Sequence, residues 1–275
     1  MAIDKKFIDL FVKTTSKAAL ASSYLVGKKD KILADKAAVD SMRFNLNNLE
    51  LQGQIVIGEG ELDEAPMLHI GEKVGSYNGE EIDIAVDPIE GTNFVAKNLP
   101  GGISVLAAAP KNGLFNSPET YMHKLAFSGQ IEKDALDLDF TNEKNFKNLA
   151  DSLNKNIEDL NICLLDRPRH NDIIETAKKF KINIKLISDG DVAGALLVTN
   201  KIFNIDLFLG IGGGPEGNTY MVRGFAKDGQ TMGAIFDKGY SGSAPWGQAF
   251  ANMQSLVDSF ERDSIEQCEI LLENG

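Results

Sequence analysis

Two carboxylates three residues apart close an apolar run in Ile84-Ala85-Val86-Asp87-Pro88-Ile89-Glu90-Gly91-Thr92. The run reads as a strand that delivers Asp87 and Glu90 onto a turn, where scaffolds commonly carry reacting groups. Pro88 fixes φ just after Asp87 and has no backbone N–H, which lets both acids face one small volume. Gly91 admits close approach of a ligand to the backbone, and the Thr92 hydroxyl can hold a water or a phosphate oxygen. Oxygen donors of this kind suit hard divalent cations. The plain alternative is an acidic turn punctuated by proline and glycine.

A second β-branched run, Ile55-Val56-Ile57, ends at Gly58 and is followed by four acids within six residues, Glu59, Glu61, Asp63 and Glu64. By itself this stretch is equally an ordinary solvated acidic loop. Asp35 opens a helical pattern with apolar residues at Val39, Met42, Leu46 and Leu49, and an N-cap is its simplest role. Further on, Ile205-Asp206-Leu207-Phe208-Leu209 feeds Gly210-Ile211-Gly212-Gly213-Gly214-Pro215-Glu216-Gly217. Glycine-rich strand-to-helix turns offer backbone N–H groups to anions, with proline suited to the first helical turn. The spacing Gly212 to Gly217 is no dinucleotide fingerprint, because no βαβ unit with a ribose-binding acid follows it. A sugar phosphate or a metal-bound phosphate fits better.

Helices and strands in mixed order position these residues. Helical periodicity covers Phe7 to Leu25 and Asp35 to Leu49. Strand patterns cover Ile55–Ile57, Ile82–Val86, Ile103–Ala109 and Tyr121–Phe127, before a polar segment from Ser128 to Lys147. The alternation Ile162–Leu165, a helix to Phe180, Ile184–Ile187, a helix to Val198 and Ile205–Ile211 predicts a βαβαβ run and a second α/β layer. The expected organisation is residues 1–130 as a metal-binding α/β domain, 131–240 as a substrate-binding α/β domain, and 241–275 as an atypical helical tail. No repeat or low-complexity stretch stands out.

Six motifs in order resemble the class II (GlpX-type) fructose-1,6-bisphosphatase family, within the wider lithium-sensitive sugar phosphatases that include inositol monophosphatase. They are G-K-K-D-K with A-D-K-A-A-V (Gly27 to Val39), V-I-G-E-G-E-L-D-E-A-P-M-L (Val56 to Leu68), A-V-D-P-I-E-G-T (Ala85 to Thr92), R-P-R-H (Arg167 to His170), D-G-D-V-A (Asp189 to Ala193) and G-I-G-G-G-P-E-G (Gly210 to Gly217). The resemblance runs from about Lys6 to about Phe236. It implies a layered αβαβα sandwich and a cytoplasmic, metal-dependent hydrolase of gluconeogenesis. The implied reaction removes the 1-phosphate of fructose 1,6-bisphosphate.

Carried over residue by residue, the resemblance makes Asp35 and Glu59 ligands of a first divalent metal, and Asp87, Glu90 and Glu216 ligands of a second. All are carboxylates, which points to Mn²⁺ or Mg²⁺ rather than zinc. Asp63 and Thr92 would position or activate the attacking water; Thr92 cannot itself be a base, so a carboxylate such as Asp63 would take the proton. Substrate would be touched by Glu90, Gly91, Thr92, Tyr121, Arg167, Pro168, Arg169, Asp189, Gly190, Asp191 and Gly213. Arg167 and Arg169 suit bidentate contacts to the phosphate that is not cleaved, against the alternative of a surface R-P-R loop. Asp189 and Asp191 suit sugar hydroxyls, or one of them caps the helix that follows. Tyr121 is a substrate contact or a packed strand aromatic.

The resemblance fails beyond Phe236, where the family continues with further strands. This chain has instead the turn-rich Ser241-Gly242-Ser243-Ala244-Pro245-Trp246-Gly247 and then Phe250, Met253, Val257, Phe260 and Leu271 on one helical stripe. Either the tail substitutes for missing strands or the chain is a shortened relative. Three functions therefore remain open: a fructose bisphosphatase, a phosphatase of sedoheptulose 1,7-bisphosphate or an inositol phosphate, and a truncated non-catalytic paralogue.

Composition bounds all three. The chain has 275 residues, 43% hydrophobic and 25% charged, with a net charge of −12. This is one or two ordinary globular domains, acidic enough to disfavour nonspecific binding to nucleic acid or anionic membrane. Local arginines and metals must overcome that global field at a phosphate site. Two cysteines, Cys163 and Cys268, fit a reducing compartment rather than a disulfide scaffold. No signal core and no membrane-length apolar run is present. The expected partners are a small sugar bisphosphate and further copies of the chain, as a dimer or tetramer.

Overall fold

The computed structural model describes residues 3–4, 6–58, 67–114, 121–128, 131, 135–198, 201–214 and 232–236. The expected tail helix, and Glu59, Asp63 and Glu216, lie outside them. The chain divides into two compact units, Met1–Glu119 and Thr120–Gly275, each an α/β unit with its own mixed sheet and apolar core.

The first unit opens with α1 (Lys6–Ser23) and α2 (Lys31–Asn47). Asp30 caps α2, its carboxylate accepting the Leu33 N–H at 2.9 Å. Asp35 therefore sits inside the helix and is not its cap, and the helix starts a turn earlier than the apolar pattern indicates. Strands β1 (Leu51–Ile57), β2 (Lys73–Val74), β3 (Glu80–Glu90) and β4 (Ile103–Pro110) form a sheet in the order β2-β1-β3-β4. The short α3 (Thr92–Ala96) joins β3 to β4. β3 runs parallel to β1 and antiparallel to β4. Ile55, Ile82, Ile84 and Leu106 meet Phe7, Ala38, Met42 and Leu46 in one core beneath α1 and α2.

The second unit holds β5 (Tyr121–Ser128), α4 (Asn142–Leu153), β6 (Asn161–Leu165), a 3₁₀ turn (Pro168–His170), α5 (Asn171–Lys179), β7 (Asn183–Ile187), α6 (Asp191–Leu197), β8 (Leu207–Gly213) and β9 (Met232–Phe236). The sheet order is β7-β6-β8-β5-β9, so β5 pairs here and not with the strands that precede it in the chain. The polar stretch from Ser128 to Lys147 runs into α4. Thr141 caps it through the Lys144 N–H at 3.2 Å, and Phe146 and Leu149 bury its apolar face. β6, β7 and β8 are parallel, as the βαβαβ pattern predicts. Leu207 and Leu209 point into the core shared with α4 and α5. Phe208, between them, takes the opposite face by strand alternation, and Gly194 of α6 packs against its ring. The helices that follow β6 and β7 thus pack on opposite faces of the sheet.

Candidate active-site clusters in the two units

In the first unit the acids are borne by strand rather than by turn. β3 continues through Pro88 to Glu90, and its pairing shifts between Asp87, opposite Val105, and Glu90, opposite Ile103. Three steps on β3 thus match two on β4. On a regular strand, residues three apart point to opposite faces. The one-residue bulge brings them back to the same face. Val86 and Ile89, also three apart, both enter the core beneath α1 and α2, so Asp87 and Glu90 share the other face. Pro88 sits inside the bulge, where its missing N–H costs no ladder bond.

The turn itself is Gly91, with φ +82°. A Cβ there would lie 2.5 Å from the Phe94 ring, so position and packing both require glycine. Thr92 then starts α3, half-buried. Glu90 is 5% exposed, Asp87 half-buried. Asp35 is half-buried on α2, which packs against both β3 and α3. Ile57 of β1 lies opposite Ala85, two residues before Asp87, and the chain leaves β1 at Gly58.

Met67 to Glu72 anchor the return of that chain. Ile55 N–H donates to Glu72 O at 2.9 Å and Gly71 N–H to Ile55 O at 2.8 Å. Arg43 of α2 clamps the Glu72 carboxylate with Nε at 2.6 Å and Nη2 at 3.1 Å, and also donates to Met67 O. Burial pushes the Glu72 carboxyl up, but hydrogen bonding and charge from Arg43, with help from His69, leave it below its ordinary value. Arg43 went unnoticed in the sequence because it reads as one more charge on a helix face.

Among the described residues no three of His, Cys, Asp and Glu gather to hold a metal; Glu59 and Glu216, needed to complete the two expected sets, lie outside them. Asp35, Asp87 and Glu90 are oxygen donors only, and that donor chemistry fits a hard divalent ion.

The second unit gathers its candidates at the carboxyl end of β6, β7 and β8. Tyr121 pairs with Gly213 across β5 and β8. Arg169 lies over the Tyr121 ring, its Cζ 4.9 Å from the centroid, and its Nε donates to Ile211 O at 2.8 Å. Arg167, at the mouth of the same 3₁₀ turn, approaches Asp189 to 3.9 Å and donates to Asp166 O at 2.9 Å. Gly190 is the N-cap of α6, with φ +86° and no side-chain cap bond. Gly190 thus occupies the N-cap position itself, and Asp191 opens the first turn of the helix. Pro168 supplies the fixed φ at the start of the 3₁₀ turn.

Asp191 is 7% exposed and paired with Lys124 of β5, itself 2% exposed. Gly212 makes room for that carboxylate: a Cβ there would lie 1.6 Å from Asp191 Oδ2. Gly210 to Gly213 are therefore strand that admits neighbouring side chains, rather than an anion-binding turn. In this unit Lys124 and His170 are the residues that sequence reasoning missed. A lysine among Met122, Leu125 and Ala126 was the available signal for the first. For the second it was the histidine closing R-P-R-H, the one residue of that motif given no role.

Comparison with known proteins shows the family. Residues 5–240 match the family model described as bacterial fructose-1,6-bisphosphatase, glpX-encoded. The chain is 45% identical over 207 residues to a Haemophilus influenzae protein named fructose-1,6-bisphosphatase class 2, covering 75% of this chain and 62% of that one. It is 42% identical over 225 residues to fructose-1,6-bisphosphatase 1 class 2 of Escherichia coli K12, covering 82% and 67%. A Prochlorococcus marinus protein named D-fructose 1,6-bisphosphatase class 2/sedoheptulose 1,7-bisphosphatase is 40% identical over 245 residues, 89% of this chain and 73% of that one. The chain thus spans less than two thirds of the first of these relatives.

Proposed function

The chain belongs to the glpX-encoded bacterial fructose-1,6-bisphosphatase family, and from that premise we propose that it hydrolyses the 1-phosphate of fructose 1,6-bisphosphate to give fructose 6-phosphate and phosphate. The observation that carries this reading is the bulged end of β3, which turns Asp87 and Glu90 to one face beside Gly91 and Thr92.

Asp35 and Glu59 would hold a first divalent ion, and Asp87, Glu90 and Glu216 a second. Such ions supply charge neutralisation at the phosphoryl oxygens and a water of lowered pKa. The Thr92 hydroxyl, at the start of α3, orients the attacking water, and Asp63 takes its proton. Arg167 and Arg169 hold the phosphate that stays on the product. Stacking on Tyr121 and the bond to Ile211 O already fix the Arg169 plane, so less side-chain freedom is lost on binding. Asp189, Gly190 and Asp191 face the sugar, with one Asp191 oxygen committed to Lys124. Gly91, Pro168 and Gly213 shape the backbone around it.

Sedoheptulose 1,7-bisphosphate is the second substrate in this reading, since relatives carry both activities in their names. The reading also includes a homo-oligomer, dimer or tetramer, in the cytoplasm. Among the described residues no helix is long and apolar enough to cross a membrane.

Phosphate release from a panel of sugar bisphosphates and monophosphates, with Mg²⁺, Mn²⁺ or excess EDTA, tests the proposal. Metal-dependent release from fructose 1,6-bisphosphate is expected. Undiminished activity in EDTA, or no release from any bisphosphate, would overturn it.

A further inference from the structure

His170 is 0% exposed and lies on no proposed reaction path. Its Nδ1 is 2.7 Å from Leu165 O, at the end of β6. Its Nε2 is 2.8 Å from Ile211 N and 3.2 Å from Ile211 O, on β8. A nitrogen this close to a carbonyl must carry the proton, so Nδ1–H donates to Leu165 O. Nε2 is then the acceptor for the Ile211 N–H. The opposite tautomer would set a lone pair against Leu165 O and two N–H groups against each other at Ile211, and the imidazolium would keep the second clash.

The same short segment carries the phosphate-binding candidates. The His170 N–H donates to Arg167 O at 2.9 Å, closing the 3₁₀ turn. Ile211 O, on the same residue as the N–H that His170 accepts, receives Arg169 Nε. Gly210 leaves the ring its place: a Cβ there would be 2.9 Å from Nε2.

We infer that His170, as the neutral Nδ1–H tautomer, is the positioning residue of the phosphate platform, fixing β6, β8 and the 3₁₀ turn so that Arg167 and Arg169 point together at the retained phosphate. This rests on the proposed role of the two arginines. The imidazole touches no substrate; it acts through Ile211 and the turn backbone.

His170→Asn keeps an N–H for Leu165 O but cannot reach the Ile211 N–H, whereas the longer His170→Gln can present its amide oxygen there. The KM of His170→Asn for fructose 1,6-bisphosphate should rise about tenfold or more, as expected when a charged hydrogen bond loses its alignment. The KM for fructose 1-phosphate, which lacks the second phosphate, should move far less, and His170→Gln should restore most of the loss. Equal losses on both substrates, or no rescue by Gln, overturn the inference. Arg169→Ala, measured in parallel, separates the two levels. If it too shows no bisphosphate-selective effect, the arginine reading fails and takes this one with it. If it shows the effect and His170→Asn does not, only the role of His170 fails. Should both His170 variants fail to fold, ¹⁵N imidazole spectra of the wild-type protein decide. With three histidines in the chain, the His170 signals can be assigned, and protonated Nε2 would refute the arrangement.

Discussion

Gly212→Ala is a one-methyl change with a large expected cost. The added Cβ would stand 1.6 Å from Asp191 Oδ2 and 2.6 Å from its Cγ, so the carboxylate must leave. Lys124, 2% exposed, then loses the Asp191 counter-charge. Removing one partner of a buried ion pair costs about 3–5 kcal/mol. For a unit of this size that corresponds to a fall in Tm of about 6–20 °C. The same eviction removes a proposed sugar contact, so KM should rise with it. Asp191→Ala should cost about the same 3–5 kcal/mol, because it removes the same counter-charge from Lys124. It also empties the space that the new methyl needs. Adding Gly212→Ala to Asp191→Ala should therefore cost almost nothing more, a coupling of about the full single-variant effect. Calorimetry of the wild type, both single variants and the double variant reads the cycle directly. Strictly additive losses, or a Gly212→Ala transition within about 2 °C of wild type, would refute both the steric and the electrostatic steps.

Asp87→Asn should abolish turnover with Tm little changed, since it removes charge but keeps shape; retained activity would show that Asp87 holds no catalytic ion. Arg167→Ala and Arg169→Ala should each cost about 2–5 kcal/mol of bisphosphate binding if the contact is desolvated, seen as a raised KM for bisphosphate over monophosphate. Glu72 has a carboxyl held below its ordinary 4.5, so it contributes stability at pH above about 4.5 that is lost as pH falls through the lower folded value. Urea titrations across that range should show a pH dependence that Glu72→Gln reduces, and parallel curves for the two proteins would contradict it. Burial pushes the Cys163 thiol up to about 12, with Lys185 pulling slightly back. Peptide mass spectrometry after iodoacetamide at pH 8 should therefore find Cys163 unlabelled in the native protein and labelled in urea.

Much of the fold was legible because its periodicities are clean. The β6-α5-β7-α6-β8 alternation follows from apolar runs separated by amphipathic ones. α4 was hidden because its exposed face is polar and its buried face small, Phe146 and Leu149 being the main signals. The acids of β3 were legible as types, but their placement was misread. Asp-Pro-x-Glu-Gly looks like a turn, and only pairing with β4 shows the extra residue inside a continuing strand. Gly212 likewise reads as loop chemistry until Asp191, 21 residues earlier in sequence, is found where a side chain would be. Lys124 and His170 act through partners distant along the chain, and no local pattern announces such partners.

β3 is hydrogen-bonded to β4 as far as Glu90 and to β1 as far as Ala85, whereas the arginines ride on a three-residue 3₁₀ turn that the His170 imidazole ties to β6 and β8. Segments with few buried bonds open locally, while strands paired within a sheet open with the larger cooperative unit. On warming, grip on the second phosphate should therefore loosen well before the acids at the end of β3 lose their places. If the proposed function holds, discrimination between sugar phosphates should fail at a lower temperature than cleavage itself.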